Sequence, residues 1–434
     1  MKKLIYFISL AALILSCQKE EENKSSSATW LKVMDCGDDF FARDILELRD
    51  GSVLMGAVPE LKLNFNESTN PSSLKASQLA KYSDKGQLEW QISLPETVHV
   101  LWHTLELNNG NIAILGFNSD DNSKQIGIVI INPEGRVLKE KSYYNVTNQA
   151  PWYSLNPVNF IELASGNIAI ASSSSNITNA YLATRLVILD QDLNLLVDRS
   201  YIPNASSSIN YPGQISLAED LNGEIILHGL HLRLNILSSS DSTHNSFSIR
   251  LSATTYNVIS FDYFQLSPSA SPSEVILNTN RDLIWASAIG NANDSLQNLW
   301  FNQRNQELYI VGSQIALTRI EKASGAAQQL YFGAYPKNAF ITKVIQTSDG
   351  GYLLLGTCNI NSNLQLNSQY QIMLIKLKTD FTLDWMRFPQ TNSQSIARDV
   401  TETENGYFLS ATHLSLGQRS RPLLLKTNKQ GFIN

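Results

Sequence analysis

Five of the six histidines, His99, His228, His231, His244 and His413, map to connecting segments or to the strand ends beside them, where an imidazole can meet a ligand. His228 and His231, spaced i to i+3, are the best candidate metal pair. No Asp or Glu lies beside them and the spacing matches no recognised ligand pattern, so no metal is expected. Asp120-Asp121 and Asn291–Asp294 offer oxygen ligands for calcium, but each falls short of a full set. Aromatic residues are the stronger lead. Trp152, Tyr153, Tyr211 and Tyr335 lie in connections rich in Asn and Ser. Flat rings beside amides and hydroxyls suit a sugar, which needs apolar stacking and hydrogen bonds together. The same rings could instead plug gaps between packed elements. The chain has no Gly-x-Ser-x-Gly elbow, phosphate loop or His-Glu-x-x-His motif, and no cofactor is expected. A carboxylate pair for glycoside cleavage could still be assembled from loop acids distant in sequence.

Two alternating hairpin patterns must position these residues. The first is an apolar run, an Asn-Gly or Asp-Gly turn, and a second apolar run, as in Ile341–Gly356 around Gly350. Its turn glycine falls at Gly51, Gly110, Gly166 and Gly223, in steps of 59, 56 and 57, and the step from Gly350 to Gly406 is again 56. A copy without the glycine reads from Trp300 to Gly312, turning near Asn305. The second pattern turns near Gly86, Gly135, Asp192, Tyr256, Gly325, Asp380 and Gly431, and in several copies leads into a Trp. Short continuous apolar runs indicate strands buried on both faces, while alternation over Gln87–Leu94 indicates an outer strand with one face buried. Seven copies of each hairpin predict an all-β fold, a seven-bladed β-propeller of four-stranded blades.

The two ends explain each other. The last copy stops at Gly431-Phe432-Ile433-Asn434, short of a Trp-led strand, and Trp30–Met34 supplies one. The N-terminal strand is therefore expected to complete the last blade and close the ring. Gly223 to Asn305 spans 82 residues, and Glu274–Ala288 reads as an inserted hairpin or the stump of an eighth blade, which keeps eight blades as the alternative. Turns within hairpins are short and form a plain face. The long connections, Glu60–Ser73, Asn145–Pro157, Ile202–Gly213, Gly229–Ser246 and Thr357–Gln369, lie on the opposite face, where binding residues are expected.

Tyr82-Ser83-Asp84-Lys85-Gly86 followed by Trp90, and Thr379-Asp380 followed by Trp385, resemble the tryptophan-docking repeats of quinoprotein propellers. Thr347-Ser348-Asp349-Gly350-Gly351-Tyr352 resembles propeller repeats of Bacteroidota lipoproteins. Both resemblances imply the fold for residues 28–434 and no chemistry. Lys139, Val197 and Ser260 stand near where a Trp is expected, and no quinone site carries over.

Residues 1–16 read as a signal peptide, with Lys2 and Lys3 ahead of the apolar stretch Leu4–Leu15. Ile14-Leu15-Ser16-Cys17 resembles a lipobox, which implies a lipidated Cys17. Residues 17–27 then form a polar tether, and Lys19, Glu20 and Glu21 resemble the export signal of Bacteroidota surface lipoproteins. Removing the signal leaves 31 basic against 39 acidic residues, a charge of −8, with no basic stripe to bind nucleic acid. Beyond the lipid site only Cys36 and Cys358 remain, expected to be unpaired. The resulting expectation is a non-catalytic, surface-exposed lipoprotein of the outer membrane, binding a glycan or a partner protein through its loop face. The alternatives are a polysaccharide hydrolase or lyase on the same scaffold, and a periplasmic scaffold for outer-membrane assembly.

Overall fold

The computed structural model describes residues 29–433, apart from 38, 60–74, 119–124, 144–158, 177–180, 202–209, 234–243, 266–269, 273–275, 281, 290–298, 303–306, 311–313, 322–326, 333–338, 360–369, 392–393 and 415–419. Strand β1 (Trp30–Val33) precedes four regular sheets. Blade one is β2 (Phe40–Glu47), β3 (Val53–Pro59), β4 (Gln78–Tyr82) and β5 (Leu88–Ser93). Blade two is β6 (Val100–Glu106), β7 (Ile112–Asn118), β8 (Gln125–Ile131) and β9 (Val137–Tyr143). Blade three is β10 (Asn159–Glu162), β11 (Ile168–Asn176), β12 (Tyr181–Leu189) and β13 (Leu195–Tyr201). Blade four is β14 (Asn210–Glu219), β15 (Ile225–Arg233), β16 (His244–Leu251) and β17 (Val258–Gln265). Next come β18 (Ala270–Pro272), β19 (Ile276–Leu277), β20 (Leu283–Ile289), β21 (Leu299–Asn302), β22 (Glu307–Ile310), β23 (Gln314–Ile320) and β24 (Ala327–Phe332). Blade six is β25 (Ala339–Gln346), β26 (Tyr352–Asn359), β27 (Tyr370–Leu377) and β28 (Leu383–Arg387). The last three strands are β29 (Gln394–Thr403), β30 (Gly406–Leu414) and β31 (Arg421–Asn428). Among the described residues no helix is long and apolar enough to cross a membrane.

The chain is an all-β, seven-bladed propeller. Blade seven has the order β1-β31-β30-β29, with Trp30 opposite Lys426 and Val33 opposite Leu423, so the N-terminal strand closes the ring as expected. The first strands β2, β6, β10, β14, β19, β25 and β29 each contact the next around a complete circle, and therefore surround the central axis. Apolar clusters fill the spaces between successive blades, as the continuous runs of the middle strands require.

One part of the repeat differs from expectation. Glu274–Ala288 is no insertion: β19 and β20 are inner strands of blade five, continuing through β23 and β24. The inserted hairpin is β21–β22, within the segment that sequence periodicity assigns to a blade. Turn geometry shows why the ruler slipped. Asn278 and Asp282 clasp the turn, with Asn278 N donating to Asp282 O as Leu48 N does to Ser52 O, but no glycine marks it.

Blades dock on one another through the second hairpin turn. The Trp30 indole covers Gly86 of blade one and donates Nε1–H to Asp84 O at 3.1 Å. Trp90 covers Gly135 of blade two, with Nε1 to Pro133 O at 2.9 Å, and Trp385 covers Gly431 of blade seven. Both Gly86 and Gly135 have positive φ, and a Cβ there would lie 2.8 and 3.1 Å from the ring, so the turn demands glycine twice over. Among the described turns, those facing a strand without Trp have no glycine at this position. Lys139 stands in for it on blade two, and its Nζ donates to Gln191 O, the carbonyl equivalent to Asp84 and Pro133. The turn residue it faces is Leu193, at φ 62°, followed in other blades by Tyr256 at 54° and Phe381 at 64°. Holding a side chain in that region costs about 1–2 kcal/mol. Burying Leu193 or Phe381 returns about 1.5–3 kcal/mol, so the exchange is tolerated.

A second contact lies on the same face. On blades two, three, four, six and seven the residues four places before the first-hairpin turn position are Glu106, Glu162, Glu219, Gln346 and Glu402. Each accepts a backbone N–H from the preceding blade's turn: Arg49, Asn108, Ala164, Thr279 and Ser348, at 2.6–2.9 Å. Blade five has Leu277 there, and its neighbour across the junction, Leu221, is 82% exposed.

Two stability measurements follow from these junctions. Gly135→Leu is expected to destabilise the protein, and Trp90→Lys in the same chain to recover about 1–3 kcal/mol of that loss in a urea double-mutant cycle, because the pair copies Lys139 and Leu193. Additive effects would contradict the docking account. Leu277→Glu is expected to raise stability by about 0.5–1 kcal/mol by supplying the missing acceptor.

Candidate functional site

The inner strands carry a polar collar where an apolar residue would continue their pattern. Seven residues before the first-hairpin turn position stand Asp44, His103, Asn159, Ser216, Glu274, Lys343 and Asp399, one from each blade. Glu274 lies outside the described residues. The backbone creates the site by β-bulges. Register shifts fall between Ala42 and Asp44, Leu101 and His103, Ile341 and Lys343, and Ala397 and Asp399. Each bulge re-aims two consecutive residues and leaves an amide off the ladder. Hydroxyls of the preceding blade meet three of these amides: Thr412 Oγ1 accepts from Ala42 N at 3.1 Å, Ser77 Oγ from Leu101 N at 3.0 Å, and Thr357 Oγ1 from Ala397 N at 2.9 Å.

Among the described residues, the collar's charges fall on blades six, seven, one and two. Asp44 is almost fully buried, accepting from His103 Nδ1 at 3.1 Å and from the Thr104 N–H and Oγ1–H, both at 2.6 Å. Burial pushes its carboxyl up, but the His103 and Thr104 hydrogen bonds and the charges of His103 and Lys343 outweigh this and hold it below the usual carboxylate range. Lys343 Nζ lies 3.4 Å from Asp399 on the next blade. The residues immediately before the collar form a second tier, with Arg43, Trp102, Thr342 and Arg398 at the bulges. The Arg43 guanidinium stacks 3.9 Å above the Trp102 ring. Trp102 is 4% exposed, and its Nε1–H has no hydrogen-bond partner among the described residues. Cations, carboxylates and a buried indole donor are thus gathered on the inner strands of four successive blades, chemistry suited to a polar or charged ligand.

The sequence-derived candidates are distributed differently. His228 is buried in β15, opposite Ser216 of the collar strand, and packs 5.0 Å from the Trp285 ring. Burial drives its pKa down to about 3, so it is neutral at physiological pH. His231 follows three residues later on the same strand, and positions separated by three belong to opposite faces of a sheet. The spacing therefore does not place the two positions on one face. Tyr211 lies in β14 opposite Leu232. Trp152, Tyr153 and Tyr335, the acidic segments 120–121 and 291–294, and the N-terminal Cys17, Lys19, Glu20 and Glu21 lie outside the described residues. Cys36 and Cys358 are free thiols, each pushed up to about 12 by burial. Sequence reasoning passed over His103, the sixth histidine and the one that enters the charged collar. Its signal was available: a polar residue recurring seven places before every first-hairpin turn.

No protein-family model matches the chain, and no curated protein matches it significantly. Solved structures resemble it. An α-L-arabinanase of Penicillium chrysogenum, complexed with arabinobiose, gives a TM-score of 0.48 at 13% identity over 80% of this chain and 98% of that one. A polysaccharide lyase gives 0.48 at 10% identity, covering 95% of this chain and 94% of its own. A protein of unknown function from Dyadobacter fermentans gives 0.45 at 11% identity, with 92% and 98% covered. At this level of similarity no ligand or activity passes to this chain.

The buried His228 generates a pH dependence of known sign. Its folded pKa near 3 lies below the unfolded value of about 6.5, so its contribution is intact above pH 6.5 and is lost as pH falls toward 3. By pH 5 the loss reaches about 2 kcal/mol. Urea denaturation of His228→Leu between pH 7 and 5 is expected to be flatter than wild type by that amount. An unchanged slope would place the acid sensitivity elsewhere.

Proposed function

We propose that the protein is a non-catalytic binding lipoprotein of the outer membrane, exposed at the cell surface, whose channel collar receives a glycan or a segment of a partner protein from the loop face. The address rests on Cys17 after its lipobox-like residues and on the Lys19-Glu20-Glu21 tether. Binding rests on the collar. Propeller packing by itself calls for apolar side chains on inner strands. The seven-membered polar set, with Arg43 stacked on Trp102, is what the fold does not require.

A hydrolase or lyase would draw on Asp44 and Asp399, carboxylates at equivalent positions of neighbouring blades. Cleaving a glycosidic bond by the usual route needs one carboxyl kept protonated as general acid. Asp44 is held in the charged state by His103 and Thr104, which suits it to fixing a ligand rather than donating a proton. Asp44 is therefore unfit for the general-acid role.

The test is titration of the detergent-solubilised full-length protein with a glycan panel and with outer-membrane extract, scoring both binding and product release. Wild type is expected to bind without releasing product, and Arg43→Ala to weaken binding at least tenfold. Equal affinity of Arg43→Ala would remove the collar from the site. Product release abolished by Asp44→Asn or Asp399→Asn would replace this reading with an enzymatic one.

A further inference from the structure

We infer that the hairpin-turn face of the ring is the side that rests on the bilayer, leaving the loop face and the channel mouth directed away from it. The inference depends on the lipid anchor at Cys17 proposed above. Its starting point is the direction of β1. Trp30 lies at the turn end, its ring against Gly86 and its Nε1 on Asp84 O. Met34 lies at the loop end, where its N–H donates to Pro422 O beside the start of β31. Strand β1 therefore begins at the turn face. Twelve residues separate Cys17 from Trp30, a span of at most about 45 Å when fully extended. A ring inverted on the membrane would spend roughly 27 Å of that span climbing the height of an eight-residue strand.

The chemistry of the turn face gives independent support. Just after the second-hairpin turns, Leu138, Leu195, Leu196, Val258 and Ile259 stand about half exposed on three successive blades. Leu221, on the first-hairpin turn of blade four, is 82% exposed. Branched apolar side chains repeated along one rim mark a contact surface, because each loses by facing water. A bilayer fits this rim better than a protein groove, since the residues recur around a curved edge instead of converging on a pocket. The anchor also raises the local lipid concentration, so shallow apolar contact is enough to set orientation.

Energy transfer to a headgroup acceptor tests the orientation in vesicles carrying the lipidated full-length protein. The background is Cys36→Ser, in which Cys358, fully buried, does not react with a fluorophore. One sample carries Gln430→Cys on the turn face, the other Asp35→Cys at the loop end of β1. Transfer from position 430 is expected to be at least twofold more efficient than from position 35, and the Leu195→Glu, Leu196→Glu pair is expected to reduce that ratio. Equal or reversed efficiencies would overturn the orientation, and a ratio untouched by the glutamates would remove the rim from it. Protein that fails to sediment with the vesicles would instead contradict the anchor, a separate outcome.

Discussion

An open row of blades has two uncovered end faces, and the antiparallel pairing of β1 with β31 ties the start of the chain into its last blade. Through that pairing the first and last segments of the chain share one sheet, and the ring has no free end at which to open. The Trp30 indole then extends the closure into blade one by covering Gly86. The central channel exists only because the inner strands complete a circle, so the collar depends on a contact made by four residues at the outer rim. Closure between segments so distant in sequence brings a large loop-closure entropy, which cooperative packing of every blade must offset.

The seven junctions are not equivalent. Indole docking holds three of them, between blades six and seven, seven and one, and one and two. Those same blades carry the charges of the described collar residues, with Lys343, Asp399, Asp44 and His103 in succession. Elsewhere, turn residues such as Leu193 and Phe381 fill the dock with their own side chains, and the collar carries Asn159 and Ser216. Partly buried charges need fixed neighbours, because a small displacement of a hydrogen-bond partner costs far more in a low dielectric than in water. The indole-docked junctions and the charged side chains of the described collar coincide.

Much of this architecture was legible in the chain. Asn-Gly and Asp-Gly turns mark hairpins because tight turns need positive φ, and their even spacing marks blades. Blade five escaped because Asn278 and Asp282 clasp its turn by side-chain and backbone hydrogen bonds without a glycine. The inserted hairpin Leu299–Ile310 satisfied the same local pattern, and period-two alternation does not tell which sheet a hairpin joins. The candidate site was harder. Loop aromatics attract attention by type, whereas Asp44, His103 and Lys343 sit singly in apolar strands and acquire meaning only when seven copies are aligned on their turns. The bulges that bring them together leave no residue signature.

Hydrogen exchange on the full-length protein, with and without a saturating ligand from the glycan or membrane-extract screen, tests the central claim most directly. A ligand seated in the collar should slow exchange at the bulged segments Phe40–Asp44, Val100–Thr104, Ala339–Lys343 and Gln394–Val400, and leave the hairpin turns around Gly51, Gly110 and Gly350 unchanged. Protection confined to the turns or the outer strands, with the bulges exchanging as before, would contradict a binding site built from the residues that break the repeat.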